Sequence, residues 1–215
     1  MCERNAKRWL SMDYRRRRLL TALSAAGAAL LMPASSARAR VGPNEARMIR
    51  SVPAAALTKV ERERHEHYMA MAIELVANNS GPFGSVIVER ERDEVVCNGK
   101  VRYRENPIFH GEIVAINNCA KHRPRVEWSN LTLYTTAEPC PMCQSAILWT
   151  GISQVVYGTS IQDLIRFGIN QIRLESPTVA AAAPFYEGSI VGGVLKERTD
   201  EIIRAWAVAR RQRRG

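Results

Sequence analysis

The sequence predicts an α/β layered domain, and three observations carry that prediction. Apolar stretches of strand and helix length alternate at 131–135, 141–150 and 154–157, and strand, helix, strand in short succession builds layers of helix on sheet. The β-branched runs 85–89 and 95–97 flank a charged turn, Glu91 to Glu94, as a hairpin does. The chain has 215 residues, 46% hydrophobic and 24% charged, enough for one globular domain with a sizeable core.

Along the chain, the first 39 residues read as an export signal. Four consecutive arginines, 15–18, precede an apolar run from Leu19 to Met32, and Ala37-Arg38-Ala39 follows as a small-x-small cleavage site. The run is too short to span a bilayer, so no stable membrane anchor is expected after cleavage. The arginines directly before it resemble a twin-arginine signal, which exports proteins already folded. The expected location is therefore periplasmic or otherwise exported, with the cytoplasm as the alternative if the signal is unused. Residues 40–57, with Pro43 and Pro53 and no periodicity, read as a loose linker.

The domain is expected over 58–210. Thr58-Lys59-Val60-Glu61 is a capping box, and Tyr68, Met71, Ala72, Leu75 and Val76 recur at helical spacing until Asn78-Asn79-Ser80-Gly81 ends the helix. After the hairpin come a helix at 110–121, a buried strand at 131–135, a helix at 141–150 and a strand at 154–157. Beyond Asp163 the periodicity weakens. Residues 171–174 suit a strand, 177–193 read as irregular, and 196–210 form a closing helix with Ile202, Ile203 and Trp206 inward. Residues 211–215 are a basic tail, and Arg210 to Gly215 reads as a solvated, frayed end.

The formal charge is +10, but residues 1–39 carry +6 of it, leaving +4 for the remainder. Much of that lies in the tail, so the domain lacks the broad basic face that nucleic-acid binding requires.

The chemistry concentrates at two points. Pro139 closes the strand 131–135 and Pro141 opens the next helix, so Cys140 and Cys143 stand at a helix N-terminus. Unpaired N–H groups and the helix dipole there favour thiolate, the form that binds zinc. Two thiolates leave a four-coordinate ion incomplete. His110, just after Pro107 and opening another predicted helix, is the candidate third ligand. A fourth position left to water is the catalytic arrangement, and Glu112, two residues on, is placed to act as a proton shuttle without binding the metal. The competing reading is a structural zinc staple in a non-catalytic binding module. It needs a fourth ligand from His65, His67, His122 or Cys97, none of which belongs to a second recognisable pair. His65 and His67 point to different sides of their helix and read as solvated. Cys97 and Cys119 read as small buried apolar residues, with a disulfide as the lesser alternative.

His110-x-Glu112 followed by Pro139-Cys140-x-x-Cys143 resembles the zinc deaminases of the cytidine/deoxycytidylate deaminase superfamily. The likeness runs from about Val60 to Ile172, with 82–88 similar to the first family strand, 106–116 to the catalytic helix and 133–143 to the second zinc loop. It implies a three-layer α/β/α sandwich around a mixed sheet of about five strands, a Zn2+ cofactor, and hydrolytic removal of an exocyclic ring amine as ammonia. It also implies a homodimer.

Within the superfamily, His110-Gly-Glu-Ile113 with Asn118-Cys119 is similar to fungal-type cytosine deaminases, whereas Glu138-Pro-Cys-Pro-Met-Cys143 is similar to bacterial guanine deaminases. In the latter, Asp163 falls where the guanine edge is held. The family asparagine that contacts substrate eleven residues before the ligand histidine is Gly99 here, which leaves the neighbouring Asn98 as the candidate. The tRNA adenosine deaminases share Glu-Pro-Cys but need a basic face for their anticodon loop. The expected partner is therefore a small-molecule nucleobase or nucleoside, guanine-type first and cytosine second. Trp206, Phe185 and Tyr186 read as core aromatics rather than pocket walls.

Overall fold

The computed structural model describes residues 49–77 and 81–213. The export segment 1–39 and the first part of the linker lie outside the described residues. Six strands form one mixed sheet in the order β1-β6-β5-β4-β2-β3. In chain order the elements are β1 (Arg50–Pro53), α1 (Lys59–Val76), β2 (Gly84–Glu89), β3 (Glu94–Lys100), α2 (Gly111–His122), β4 (Leu131–Ala137), α3 (Pro141–Thr150), β5 (Gln154–Thr159), α4 (Ile161–Arg166), α5 (Ser176–Ala181), β6 (Ser189–Gly192) and α6 (Lys196–Gln212).

The α/β expectation holds, with six strands rather than about five. The added strand, β1, comes from the stretch read as a loose linker, and its parallel partner, β6, comes from the stretch read as irregular. Each has four residues, too few for a period to declare itself, and they meet only through the tertiary fold. Pro53 is tolerated because β1 is an edge strand. The region 177–193 also contains most of α5. Residues 171–174 form no strand and run as a loop over the site.

Every residue of β4 is buried, because helices cover both faces of this central strand. Leu131 and Leu133 face one side with Ile87, Ala115, Ile147, Val155 and Ile190, under α2, α3 and α5. Tyr134 faces the other with Val86, Val156 and Val191, under Met69, Ala72 and Ile73 of α1. The period of two along the strands thus separates two cores. A third cluster joins Ala137 at the end of β4 to Leu164 of α4 and to Ile203 and Ala207 of α6. This gives three layers.

The capping box of α1 is complete: Glu61 N donates to Thr58 Oγ1 at 3.3 Å and Thr58 N donates to the Glu61 carboxylate at 2.9 Å. His65 is not solvated as expected. It is buried, with Nδ1 2.9 Å from the Tyr134 hydroxyl, and burial lowers its pKa; His67 is exposed, as expected. Cys97 and Cys119 are joined by a disulfide across Cα atoms 5.4 Å apart, tying β3 to α2. Beside that bond, Gly99 lets α2 lie directly on the strand: a Cβ there would come 2.3 Å from Ala115 N. Among the described residues, no helix is long and apolar enough to cross a membrane.

Candidate active site

Two loop–helix junctions meet where β4 ends and β2 begins. Strands β4 and β5 are parallel, and in open α/β sheets the crevice beyond the carboxyl ends of the strands is where ligands bind. Leaving β4, the chain passes through Glu138 and Pro139 to Cys140, the N-cap of α3, with Pro141 at its first position. Leaving β3, it loops to His110, the N-cap of α2. Neither N-cap side chain makes a capping hydrogen bond. Both side chains are therefore available to the space between the helices.

His110, Cys140 and Cys143 converge there: one ligand atom from each lies within 4.8 Å of the others. His110 Nδ1 is 3.7 Å from Cys140 Sγ. Tetrahedral zinc with bonds of about 2.3 Å to sulfur and 2.0–2.1 Å to nitrogen spaces such a pair about 3.6 Å apart, so the donor set fits zinc in both spacing and softness. His65, His122 and the disulfide-bonded Cys97 are not part of it. The fourth-ligand requirement of a structural staple thus finds no taker among the described residues.

Glu112 lies in the first turn of α2 and is buried. Burial pushes its carboxyl up to about 7, with the Cys140 charge adding to it, while the Cys143 thiol and His110 pull the other way. The two cysteines share one proton: a hydrogen bond from Cys143, helped by His110, holds Cys140 down to about 4, and donating that bond raises Cys143. His110 is raised by its bond to Cys140 against the effect of burial. Tyr103 packs edge-on against the His110 ring at 5.6 Å, and burial, then the Glu112 charge, raise its hydroxyl to about 12.

A small hollow of about 30 Å³ holds Glu112, Thr135, Ala137 and Glu138. It shares Phe83, Tyr103, His110, Cys140 and Gln171 with an outer cavity of about 780 Å³. Glu138 braces the floor: its carboxylate accepts from Ile161 N and Ser176 N, both at 2.8 Å, and from the Ser176 hydroxyl at 3.0 Å. Two short helices, α4 and α5, are thereby pinned to the loop carrying Cys140.

The two substrate candidates do not join this site. Asn98 is exposed on β3 and pairs with Val86, whose side chain belongs to the α1 core. The alternation of the strand thus turns Asn98 to the opposite face from Gly99 and α2. Asp163 is buried, but its carboxylate accepts from the Ser160 hydroxyl at 2.6 Å and pairs with Arg166 and with Lys196, the latter at 3.0 Å. Neither residue lines the hollow or the cavity. Trp206 packs against the third core cluster, as expected, and also lines the cavity beside Phe83. Tyr186 is buried, its hydroxyl on Ile152 O at 2.7 Å, and Phe185 is exposed and stacked on Trp149. Tyr103, Gln171 and Phe83 were missed because they come from loops, where no periodicity marks a wall residue.

Residues 62–159 match the family described as the cytidine and deoxycytidylate deaminase zinc-binding region. The guanine deaminase of Bacillus subtilis (strain 168) is 30% identical over 132 residues, covering 57% of this chain and 85% of that protein. This chain belongs to that zinc-binding deaminase family. A probable cytosine deaminase of Schizosaccharomyces pombe is 38% identical over 86 residues, 40% of this chain and about half, 51%, of that protein. Proteins named tRNA-specific adenosine deaminase match as well. The guanine deaminase structure from Nitrosomonas europaea superposes with a TM-score of 0.59 at 23% identity, covering 66% of this chain and 84% of that one, a likeness of fold.

Proposed function

We propose that this protein is a zinc-dependent hydrolytic deaminase that replaces the exocyclic amine of a nucleobase ring by a carbonyl, with a guanine-type ring the first candidate and cytosine the second. One observation carries the reading: a buried carboxylate, Glu112, lines a small hollow beside the His/Cys/Cys donor set, and His110 and Cys140 also line the adjoining cavity of about 780 Å³, large enough for a ring. His110, Cys140 and Cys143 hold the metal. When bound, zinc supplies Lewis-acid activation that makes water a competent nucleophile near neutral pH. Glu112 accepts a proton from the attacking water and delivers it to the ring nitrogen next to the amine-bearing carbon. It then takes the proton of the new C–OH group and passes it to the amine, so that the C–N bond breaks, ammonia leaves and the C–O bond remains as the carbonyl. Tyr103 and Phe83 line both the hollow and the outer cavity.

The guanine preference is supported by the relative covered over 85% of its length; against the tRNA alternative stands the sequence charge, of which only +4 lies beyond residue 39. Action outside the cytoplasm is supported by the signal-like first 39 residues and by the Cys97–Cys119 disulfide, a bond that persists mainly in oxidising compartments. The test is ammonia release from guanine, cytosine, adenine and their nucleosides by protein beginning at Arg40 and loaded with zinc. Turnover of guanine above the others is expected. Absence of turnover on every member, with one zinc per chain, would remove the proposal.

A further inference from the structure

With Asn98 and Asp163 outside both the hollow and the outer cavity, the ring edge away from the amine needs another partner. Five residues line both spaces: Phe83, Tyr103, His110, Cys140 and Gln171. His110 and Cys140 are metal ligands, Phe83 is apolar, and Tyr103 carries a single hydroxyl. Of the five, Gln171 alone offers an amide, with N–H donors and a carbonyl acceptor side by side in one plane.

The loop carrying Gln171 is held at both ends. Gly168, at φ +79°, ends α4 in the left-handed turn common at helix C-termini, and Ile169 N donates to Leu164 O at 3.0 Å. Ile169, two residues before Gln171, is buried in the third core cluster. At the far end Gln162 Nε2 donates to the Glu175 carboxylate at 3.0 Å, and Ser176 N donates to that of Glu138 at 2.8 Å. Between these anchors the exposure of the loop runs against hydropathy. Of residues 170–175, Gln171 alone is not exposed, whereas Ile172 is 62% and Leu174 40% exposed. Burial driven by apolar transfer would shelter the isoleucine and leave the amide in water. The fold instead turns the amide to the hollow, where a ligand satisfies it.

We propose that Gln171 determines which ring is accepted: its amide pairs with an adjacent N–H and C=O on the ring edge, a pair that guanine presents at N1 and C6. The proposal rests on the deaminase reading and names the group that discriminates among its rings. Amide side chains hold base edges through such paired bonds. In guanine the amine-bearing carbon, C2, lies between N1 and N3. An amide on the N1 side leaves N3 to take the proton from Glu112, so recognition and proton transfer use different sides of the ring. In cytosine the carbonyl adjoins N3, the nitrogen next to the amine-bearing carbon, and the amide and Glu112 would meet on the same side. Adenine has no carbonyl to accept from the amide.

The test compares guanine with 2-aminopurine, which keeps the amine but lacks the C6 carbonyl and the N1 hydrogen, on the zinc-loaded protein. In Gln171→Leu the guanine to 2-aminopurine ratio of kcat/KM should fall about tenfold or more, the size of two lost hydrogen bonds. The fall should come mainly through KM for guanine, because these bonds hold the ring before and during reaction alike. Gln171→Glu should lower the ratio too, since a carboxylate accepts from N1 but does not donate to the C6 oxygen, and cytosine should lose less than guanine in both variants. Calorimetry of the same two purines with Glu112→Gln protein, with and without Gln171→Leu, reads binding apart from turnover. Zinc content and melting curves show whether each variant is folded; if the leucine variant is not, the glutamate variant decides. A ratio unmoved by the variants, an equal loss for every ring, or a wild type that does not bind guanine overturns the role of Gln171 while leaving ring deamination standing. Guanine binding that depends on Gln171 without turnover of any ring by the wild type upholds that role and overturns the deaminase reading instead.

Discussion

Two helix starts in this molecule each bury an acid in the first turn, and they differ in what the N-cap does. At Ser160, the cap of α4, the hydroxyl accepts from Asp163 N at 3.1 Å and donates to the Asp163 carboxylate at 2.6 Å. Lys196 and Arg166 complete the neutralisation. Burial, the largest influence on Asp163, raises its pKa, but the Ser160 hydroxyl, Lys196 and Arg166 together outweigh it, and the net shift is downward. At His110, the cap of α2, no side-chain cap forms, the side chain reaches for Cys140 instead, and among the described residues no salt bridge holds Glu112, so burial prevails and its pKa rises. Cys140, capping α3, likewise leaves its cap unmade. A helix start that satisfies its own first turn stabilises the fold; one that forgoes capping keeps a donor for chemistry. That contrast separates Glu112 from Asp163 better than burial does, since both are buried.

The largest expected effect comes from imposing the structural pattern on the functional start. His110→Ser supplies a capping hydroxyl and removes a ligand. Elemental analysis should find zinc falling from one per chain to almost none, with turnover lost. After chelation the variant should melt above chelated wild type, by about 1 kcal/mol of added cap stability; full zinc retention in the variant would break the comparison. Next, Glu112→Gln should lower kcat by about a thousandfold, within the range for a lost general acid–base, with zinc content unchanged. A variant retaining most of its turnover would return Glu112 to a structural role.

Asp163→Asn should cost only about 1–2 kcal/mol in urea unfolding, because Arg166 is 71% exposed and Lys196 37% exposed and both are screened by water, with kcat/KM nearly unaltered. Since the folded pKa lies below the unfolded one, the Asp163 contribution is fully present above about pH 4 and is lost as pH falls through the folded value. The variant should therefore lose less stability than wild type on acidification below pH 4. A large loss of kcat would restore Asp163 as a substrate contact. The smallest effect belongs to Ser160→Ala, about 1 kcal/mol from the lost cap, read as a lower melting temperature at constant activity.

The legibility of the chain follows the same division. Helix α1 announced itself by its capping box and α3 by Pro141, and β4 was visible as a buried run because both its faces are covered. The site residues stand in two short-spaced pairs, His110 with Glu112 and Cys140 with Cys143, each beside a helix start, so local sequence carries the geometry within each pair. Asn98 and Asp163 were misplaced for different reasons. A one-residue uncertainty in strand phase moved Asn98 to the other face, and the partners that occupy Asp163 include Lys196, on a distant helix.

By itself the sequence determined the α/β class and the two halves of the site, His110 with Glu112 and Cys140 with Cys143, because the residues of each half lie within one helical turn of one another. The tertiary structure alone decided the pairing of β1 with β6, the Cys97–Cys119 bond, and the return of α6, which brings Trp206, Arg210 and Arg211 to the cavity wall. Those contacts join segments far apart in the chain, where no periodicity or spacing records the partner and only closure of the fold brings it near.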